Sequence, residues 1–331
     1  MGIAISLNIP KGLSDFGKSV SPDLAKNWNS LCSLCLCGEK NTFCSNLVRS
    51  VGKSGAFKRI QRLGPVDDTQ FRKILDYFSF SWKGYKKVRK GAKKRILRHM
   101  QSLNCRRVSE YLDLIDANPN LRQESERVMA VSISRFFRDR DLWRILEEEI
   151  LPKLAGSGIP VIRAWSAGCA GGEEVYSLKI IHERLVQAKT CNALIQVLAT
   201  DVNPENLDRA RAGIFPVSSL REVPHDARDR FFDTARRRQY AVKHELTANI
   251  QWQCHHLLSD PPDTGFHLLF LRNNLLTYYR DNLKIPAFQR IAGTLSSSGY
   301  LIIGAHEKLP DSGFRFVRHP RNPHIFQIKF S

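Results

Sequence analysis

No apolar run in the chain reaches the eighteen or so residues that a membrane-spanning helix requires, so insertion into a bilayer is not expected. The opening stretch, Met1–Gly17, has no charged segment followed by a long apolar core. No secretory leader is expected, and the cytoplasm is the expected compartment. No internal repeat is visible, which argues against a solenoid or an array. Acidic residues are scarce: 51 Lys and Arg stand against 32 Asp and Glu, a net charge of +19 over 331 residues. Such a surplus seeks a polyanion, whether nucleic acid, an anionic membrane surface or an acidic protein. The G-x-G-x-x-G fingerprint is missing as well, which removes the simplest dinucleotide-binding reading.

The positive charge is concentrated. Between Lys53 and Arg107 there are seventeen Lys and Arg against three Asp, and the sixteen residues Lys83–Arg98 hold nine cations and no acid. Tyr85, Val88, Ala92, Ile96 and Met100 recur there at three-to-four-residue spacing, which predicts a helix or broken helix with a packed stripe and a cationic face. Gly91 is its expected weak point. Lys86, Lys90, Lys93, Lys94 and Arg98 are the candidates for docking an acidic partner.

Cysteine is clustered only near the amino terminus. Cys32, Cys35, Cys37 and Cys44 fall within thirteen residues and could supply four thiolates to zinc or an iron–sulfur cluster, but the paired spacing of such sites is incomplete. They are read as reduced cysteines of a tail, and no metal is expected. Cys105, Cys169, Cys191 and Cys254 look like small core residues.

Composition divides the chain into a tail (1–66), a small basic helical domain (67–120), linker helices (121–158) and an alternating strand–helix domain (159–331). Candidate strands are Val161–Ser166, Ile195–Thr200, Ile250–Cys254, His267–Arg272, Tyr300–Gly304, Phe314–Arg318 and Ile325–Phe330. Their alternation with helices predicts a mostly parallel, doubly wound α/β sheet, and the last two should form an antiparallel edge hairpin.

The stretch Val161–Ile181 carries the most chemistry. An apolar strand runs into a loop with Gly168, Gly171 and Gly172, then into a helix that opens on Glu173 and Glu174. Glycines suit a tight turn with close ligand approach, and a helix start offers N–H groups. Two carboxylates there would repel a pyrophosphate, so a cationic ligand suits the loop better. Asp201, at the end of the next strand, can accept both hydroxyls of a ribose. An ammonium, a sulfonium, a ribose and no phosphate describe S-adenosylmethionine. The plainer alternative is a strand–turn–helix without a ligand, in which Asp201 caps the next helix.

The ordered motifs S134-R-F-F-R138, W165-S-A-G-C-A-G-G-E-E-V-Y-S177, A199-T-D-V-N203, A210-R-A-G-I-F-P216, L271-R-N-N-L275 and G304-A-H-E307 resemble those of the CheR-type chemotaxis receptor methyltransferases, over roughly Asp67–Ser331. The resemblance implies a Rossmann-like doubly wound methyltransferase sheet with an antiparallel edge hairpin, preceded by a small all-α domain and carrying a small β-subdomain at about 236–250. It also implies methylation of glutamate side chains on the cytoplasmic helices of a chemoreceptor, with S-adenosylmethionine as cofactor and a monomeric enzyme. Nucleic acid is not the partner it implies.

Carried over by motif, Arg138 resembles the family's arginine at the cofactor and reaction centre. Ser132 and Ser134 stand where the family has Asn and Thr. Gly168, Glu173, Glu174 and Asp201 would hold the cofactor, with one of the glutamates taking its ammonium. His256-Leu257 replaces a family Asn-Leu near the adenine, and Asn273 and Asn274 end the fourth strand at the transfer pocket. Tyr278 or Tyr279 matches the tyrosine bordering the reacting groups, although Thr277 falls where an ungapped alignment places it. Two other readings stay open: a nucleic-acid methyltransferase, suggested by the basic helix and by Ser259-Asp-Pro-Pro-Asp263, and a noncatalytic protein that binds the cofactor as a signal.

Overall fold

A computed structural model describes residues Gly64–Lys329; the cluster Cys32–Cys44 lies outside the described residues. Five helices come first: α1 (Asp68–Tyr77), α2 (Trp82–Tyr85), α3 (Arg89–Ser102), α4 (Val108–Asp116) and α5 (Pro119–Met129). Local chemistry starts the outer ones. The Asp67 carboxylate accepts from the Gln70 N–H while the Gln70 side chain accepts from the Asp67 N–H, closing a capping box on α1. Asn118 caps α5 by accepting from Asn120 and Leu121, with Pro119 at the first helical position.

These helices share a core that includes Phe71, Ile74, Tyr85, Ile96, Tyr111 and Met129, each burial contributing roughly 1.5–3 kcal/mol for a large apolar side chain. The stripe read from the basic segment faces that core, with Val88 half-buried. The break in the segment is not at Gly91. It falls at Lys86–Val88, between α2 and α3, and Gly91 lies in the first turn of α3, where a missing side chain costs little.

The chain then runs through α6 (Arg140–Ile145), a π-helical turn (Leu146–Ile150) and α7 (Leu151–Gly156) into the sheet. The helices expected as a linker do not behave as one. Met129 of α5 belongs to the helical core, whereas Leu142, Leu146 and Leu151 belong to the core on one face of the sheet.

The remaining elements are β1 (Val161–Ala167), α8 (Glu173–Gln187), β2 (Leu194–Asp201), α9 (Pro204–Ala212), β3 (Ile214–Pro216), α10 (His225–Phe231), β4 (Phe232–Ala235), β5 (Gln239–Val242), β6 (Ile250–Cys254), β7 (Phe266–Leu271), α11 (Leu275–Tyr278), α12 (Asp281–Ala292), β8 (Leu295–Ile303), β9 (Arg315–His319) and β10 (Asn322–Lys329). Seven strands form one sheet in the order β6-β2-β1-β7-β8-β10-β9. The first five are parallel, and β10 runs antiparallel to both β8 and β9, so the doubly wound sheet and its edge hairpin are both present.

The β-subdomain begins earlier than 236. It is a three-stranded antiparallel sheet, β3-β5-β4, spanning 214–242, with a tight turn through Arg237 and Arg238, both at positive φ. The sequence reading missed β3 because three residues are too short to show alternation.

In the sheet, β2 and β6 lie on one side of β1 and β7 on the other, which makes the carboxyl ends of β1 and β7 the switch point where such sheets open a crevice. The helical unit is pressed against that end. The Ser81 N–H donates to the Tyr278 carbonyl (2.7 Å), and Phe80 pairs with Tyr279 as an isolated bridge. Gly84 permits this approach: a Cβ there would run into the backbone carbonyl of Thr277. Gly84→Ala should therefore destabilise the protein by about 1–3 kcal/mol, the usual cost of overpacking, as read by urea denaturation. Unchanged stability would mean that α2 and α11 are free to separate.

Candidate active site

At the carboxyl ends of β1, β2 and β7 lies a cavity open to solvent. Its sheet-side wall carries Gly168, Glu174 and Asp201; Phe80, Tyr85 and Glu126 come from the helical unit. The structure also brings Ser132, Ser134, Arg138, His256, Leu257, Asn273, Asn274, Tyr278 and Tyr279 to this wall. Glu173 is not part of it.

The glycine loop has few donors to spare. The N–H groups of Gly168 and Cys169 both donate to the Thr200 carbonyl at 2.8 Å, that of Gly172 to Cys169, and that of Ala170 to Asp201 Oδ2 at 3.0 Å. Four of the loop's N–H groups are thus already bonded, three of them to the end of β2, and are not offered to an anion. Gly168 sits at φ +86°, and a side chain there would strike the Asn274 amide, which donates to the Ala167 carbonyl.

Asp201 is a hub rather than a helix cap, since Asn203 caps α9. Its Oδ1 accepts from the Asn203 N–H (2.9 Å) and from Asn206 Nδ2 (3.0 Å), and the same Asn206 amide donates to Ser132 Oγ at 2.8 Å. Asn206 thus ties the Ser132 segment to the aspartate. The sequence reading missed it, because an asparagine inside an amphipathic helix carries no signal.

The two glutamates at the start of α8 diverge. Glu173 is buried beneath the loop with Oε2 unpartnered, and burial raises its pKa. Glu174 faces the cavity, where Oε1 accepts from Ser166 Oγ (2.7 Å) and Oε2 from Arg272 (2.9 Å). The Arg272 side chain is 5% exposed; it also donates to Asp139 Oδ2 at 2.5 Å and to the Arg138 carbonyl at 3.2 Å. The Arg138 side chain lies at the cavity rim, and its one hydrogen bond among the described residues goes to the Ile133 carbonyl (3.3 Å). Most of its donors are left for a ligand.

Strained backbone borders this site. Phe137, Asp139, Ala170 and Asn273 have positive φ without being glycine, a conformation that costs on the order of 1 kcal/mol or more each. A side chain pins each one. The Phe137 N–H donates to Ser177 Oγ, the Ala170 N–H to Asp201, and the Asn273 N–H to Glu307 Oε2, while Asp139 is held by Arg272.

The tyrosines part company too. The Tyr279 hydroxyl donates to Glu126 Oε1 at 3.0 Å, and burial raises its pKa well above the ordinary value. The Tyr278 hydroxyl makes no hydrogen bond to another described residue; its ring packs on Tyr85 at 4.9 Å. Thr277, at the aligned position, turns away, and its hydroxyl donates to Glu307 Oε1 at 2.6 Å. His256 is committed as well. Its Nδ1 accepts from the Leu258 N–H, and its Nε2 lies 3.0 Å from Glu126 Oε1. Of the ring edge read from the sequence as facing an adenine, Nδ1 is hydrogen-bonded and Nε2 lies beside the Glu126 carboxylate.

The residues read as a docking set lie away from the cavity. Lys86, Lys90, Lys93, Lys94 and Arg98 do not line the cavity: Lys93 pairs with Asp68 at 2.5 Å and Arg98 folds back to the Lys94 carbonyl. Because the chain breaks at Lys86–Val88, a different face turns to the site. A groove continuous with the cavity, sharing Arg138, Asn273, Tyr278 and Tyr279, carries Lys83 and Lys87 together with Lys284 and Lys308 from the sheet unit. The turn Ser259–Asp263 lies elsewhere, before the amino end of β7, where Asp263 pairs with Arg163.

Comparison with known proteins bears directly on this geometry. A family model described as CheR methyltransferase, SAM binding domain, matches residues 132–322. The chain belongs to the CheR methyltransferase family. It is 32% identical over 221 residues to a chemotaxis protein methyltransferase of Listeria innocua, covering 66% of this chain and 80% of that one. A putative methyltransferase of Pseudomonas putida is 28% identical over 245 residues, covering 72% and 86%. An uncharacterized 104.1 kDa protein of Rhodobacter capsulatus is 33% identical over 218 residues, but this chain spans only 23% of its length. The cofactor of this CheR chain is S-adenosylmethionine, and it is an S-adenosylmethionine-dependent methyltransferase. The cavity fits that cofactor: a donor-poor loop and the Glu174 and Asp201 carboxylates suit a cation without phosphate. Among the described residues, no helix is long and apolar enough to cross a membrane and no acid, His or Cys group is arranged to hold a metal.

Glu307 yields a pH prediction. Burial raises its pKa above the ordinary 4.5, against the pull of Thr277 and the Asn273 and Gly304 N–H groups. A carboxyl that holds its proton more tightly when folded contributes full stability below that ordinary value and loses it as pH rises through the folded value. Glu307→Gln, which keeps an acceptor, should therefore gain about 2–4 °C in Tm on the wild type between pH 5 and pH 7.5, as for about 1 kcal/mol in a domain of this size. Melting curves whose separation does not change with pH would contradict it.

Proposed function

We propose that this CheR methyltransferase esterifies glutamate side chains on an acidic helical segment of a protein, a chemoreceptor being the partner that the family relatives' names suggest. The observation that carries this reading is the lysine-lined groove that opens onto the cofactor cavity beside Arg138 and Tyr278. Lys83, Lys87, Lys284 and Lys308 ring the way in, and a segment presenting several carboxylates along one face complements them.

When bound, S-adenosylmethionine supplies a methyl group on a sulfonium, which leaves as a neutral thioether while a carboxylate oxygen takes the methyl carbon. No proton has to move, because a glutamate is already ionised near neutral pH. The protein's task is therefore alignment and exclusion of water rather than base catalysis. In this reading Asp201 and the glycine loop hold the cofactor's ribose end. Glu174 faces its ammonium with half its charge already balanced by Arg272. Arg138 has the free guanidinium donors to grip the incoming carboxylate bidentately, and Tyr278, whose hydroxyl is uncommitted, borders the reacting atoms in preference to Tyr279.

The first test is tritiated methyl transfer from S-adenosylmethionine to the host's membrane fraction, followed by mild alkali and assay of volatile methanol. Alkali-labile label that falls at least a hundredfold in Arg138→Ala is expected, since a lost bidentate charged contact at the reaction centre is worth about 3 kcal/mol or more. Alkali-stable label, or label on nucleic acid, would reject the ester reading; cofactor binding with no transfer would favour the noncatalytic one. A second test reverses the groove's charge. Lys284→Glu with Lys308→Glu should raise KM for an acidic helical peptide about tenfold and leave cofactor affinity unchanged, with the gap closing at high salt. Equal KM in wild type and variant would move docking elsewhere.

A further inference from the structure

Glu126 belongs to no motif, yet it stands where the two halves of the cavity meet. It comes from α5 of the helical unit, its side chain is 20% exposed, and it is part of the cavity wall. One carboxylate oxygen, Oε1, accepts the Tyr279 hydroxyl at 3.0 Å and lies 3.0 Å from His256 Nε2. These partners come from different places: Tyr279 follows α11 after β7, and His256 follows β6. Because His256 Nδ1 accepts from the Leu258 N–H, the proton of the neutral ring sits on Nε2, facing Glu126. Burial alone would raise the pKa of Glu126, but His256 and the Tyr279 hydroxyl, helped by Arg122, outweigh it and hold the group below its ordinary value. The carboxylate is thus a stable anion whose orientation is set by both partners.

We propose that Glu126 is a positioning residue for the cofactor: delivered by the helical unit, it fixes the His256 ring and Tyr279 in the cavity wall and so makes cofactor affinity depend on the seating of that unit. This rests on the cofactor reading of the cavity. His256 is the residue that stands in place of the family's asparagine, and an imidazole needs a partner to hold its plane where a smaller amide would not. Glu126 supplies that partner. With Nδ1 hydrogen-bonded and Nε2 3.0 Å from the Glu126 carboxylate, His256 borders the cavity with its ring face suited to stacking on a purine. Tyr279, held by its hydroxyl, backs the same wall through Phe80 at 5.0 Å.

A merely structural staple would lower stability and leave ligand affinity in the folded protein alone, so the test reads both. S-Adenosylhomocysteine binding is measured by calorimetry, Tm with and without it by thermal melting, and kcat and cofactor KM by methyl transfer, for Glu126→Ala, Glu126→Gln, His256→Asn and the double variant Glu126→Ala/His256→Asn. Glu126→Ala should weaken S-adenosylhomocysteine binding and raise cofactor KM about tenfold, the size of one lost charged contact, with kcat within about twofold. Glu126→Gln keeps an oxygen in place for both donors and should recover most of the affinity. The double variant should lose no more than the worse single one, because the two residues act as one unit. The proposal is overturned if affinity is unchanged in both Glu126→Ala and His256→Asn, if kcat falls while affinity holds, or if the two losses add. Should Glu126→Ala fail to fold, His256→Asn and Glu126→Gln carry the same test: loss in the first and retention in the second support it, the reverse overturns it. A wild-type protein that binds no S-adenosylhomocysteine would instead reject the cofactor reading beneath it.

Discussion

The site depends on one buried cation. Arg272 ends β7 with almost no exposure and holds Glu174 from the start of α8, Asp139 from the turn before α6, and the Arg138 carbonyl. An unpaired guanidinium in that position would be costly, and so would two unpaired carboxylates; together they satisfy one another. Its Nε alone has no partner among the described residues. Through these bonds the turn that carries Arg138 is fixed against the sheet although Asp139 sits in a left-handed conformation. Strain at Phe137, Ala170 and Asn273 is met in the same way, by side chains from α8, from the end of β2 and from the turn after β8. The cavity wall is thereby preorganised before any ligand arrives.

Much of the fold was legible because its signals are local and repeated. Apolar runs of strand length between helical patterns gave the parallel sheet, and the short spacing between its last two strands gave the edge hairpin. Residues such as Gly168, Asp201, Asn273 and Asn274 could be placed together because all of them follow strands that end at one edge of a parallel sheet, a matter of topology rather than of distance. Their individual bonds were not readable. Glu173 and Glu174 are adjacent and chemically identical, and only helix rotation separates the buried one from the one in the cavity.

Long-range pairing was the least legible part. Glu126 and Asn206 sit in polar stretches of amphipathic helices, where the ordinary expectation is a solvated face, and nothing local marks the residues they meet 130 and 74 positions away. The groove lysines were hidden for a different reason. Periodicity located the apolar stripe of the basic segment correctly, but the chain breaks at Lys86–Val88 between α2 and α3, so a face drawn on one continuous helix does not describe the cations beside the cavity. A groove assembled from Lys83 and Lys87 on one unit and Lys284 and Lys308 on another has no counterpart in any single stretch of sequence.

In the function proposed above, the glycine loop would also act as a filter. Adenosine triphosphate and the nicotinamide dinucleotides share adenine and ribose with S-adenosylmethionine, and wherever they are abundant they compete for any cavity that reads those two groups. Here a phosphate following the ribose would meet Glu174 and a loop whose N–H groups already face Thr200, Cys169 and Asp201. It would be repelled by that carboxylate and find four of the loop's N–H groups already bonded. Selection among adenosine-bearing molecules thus comes from donors withheld as much as from acceptors supplied.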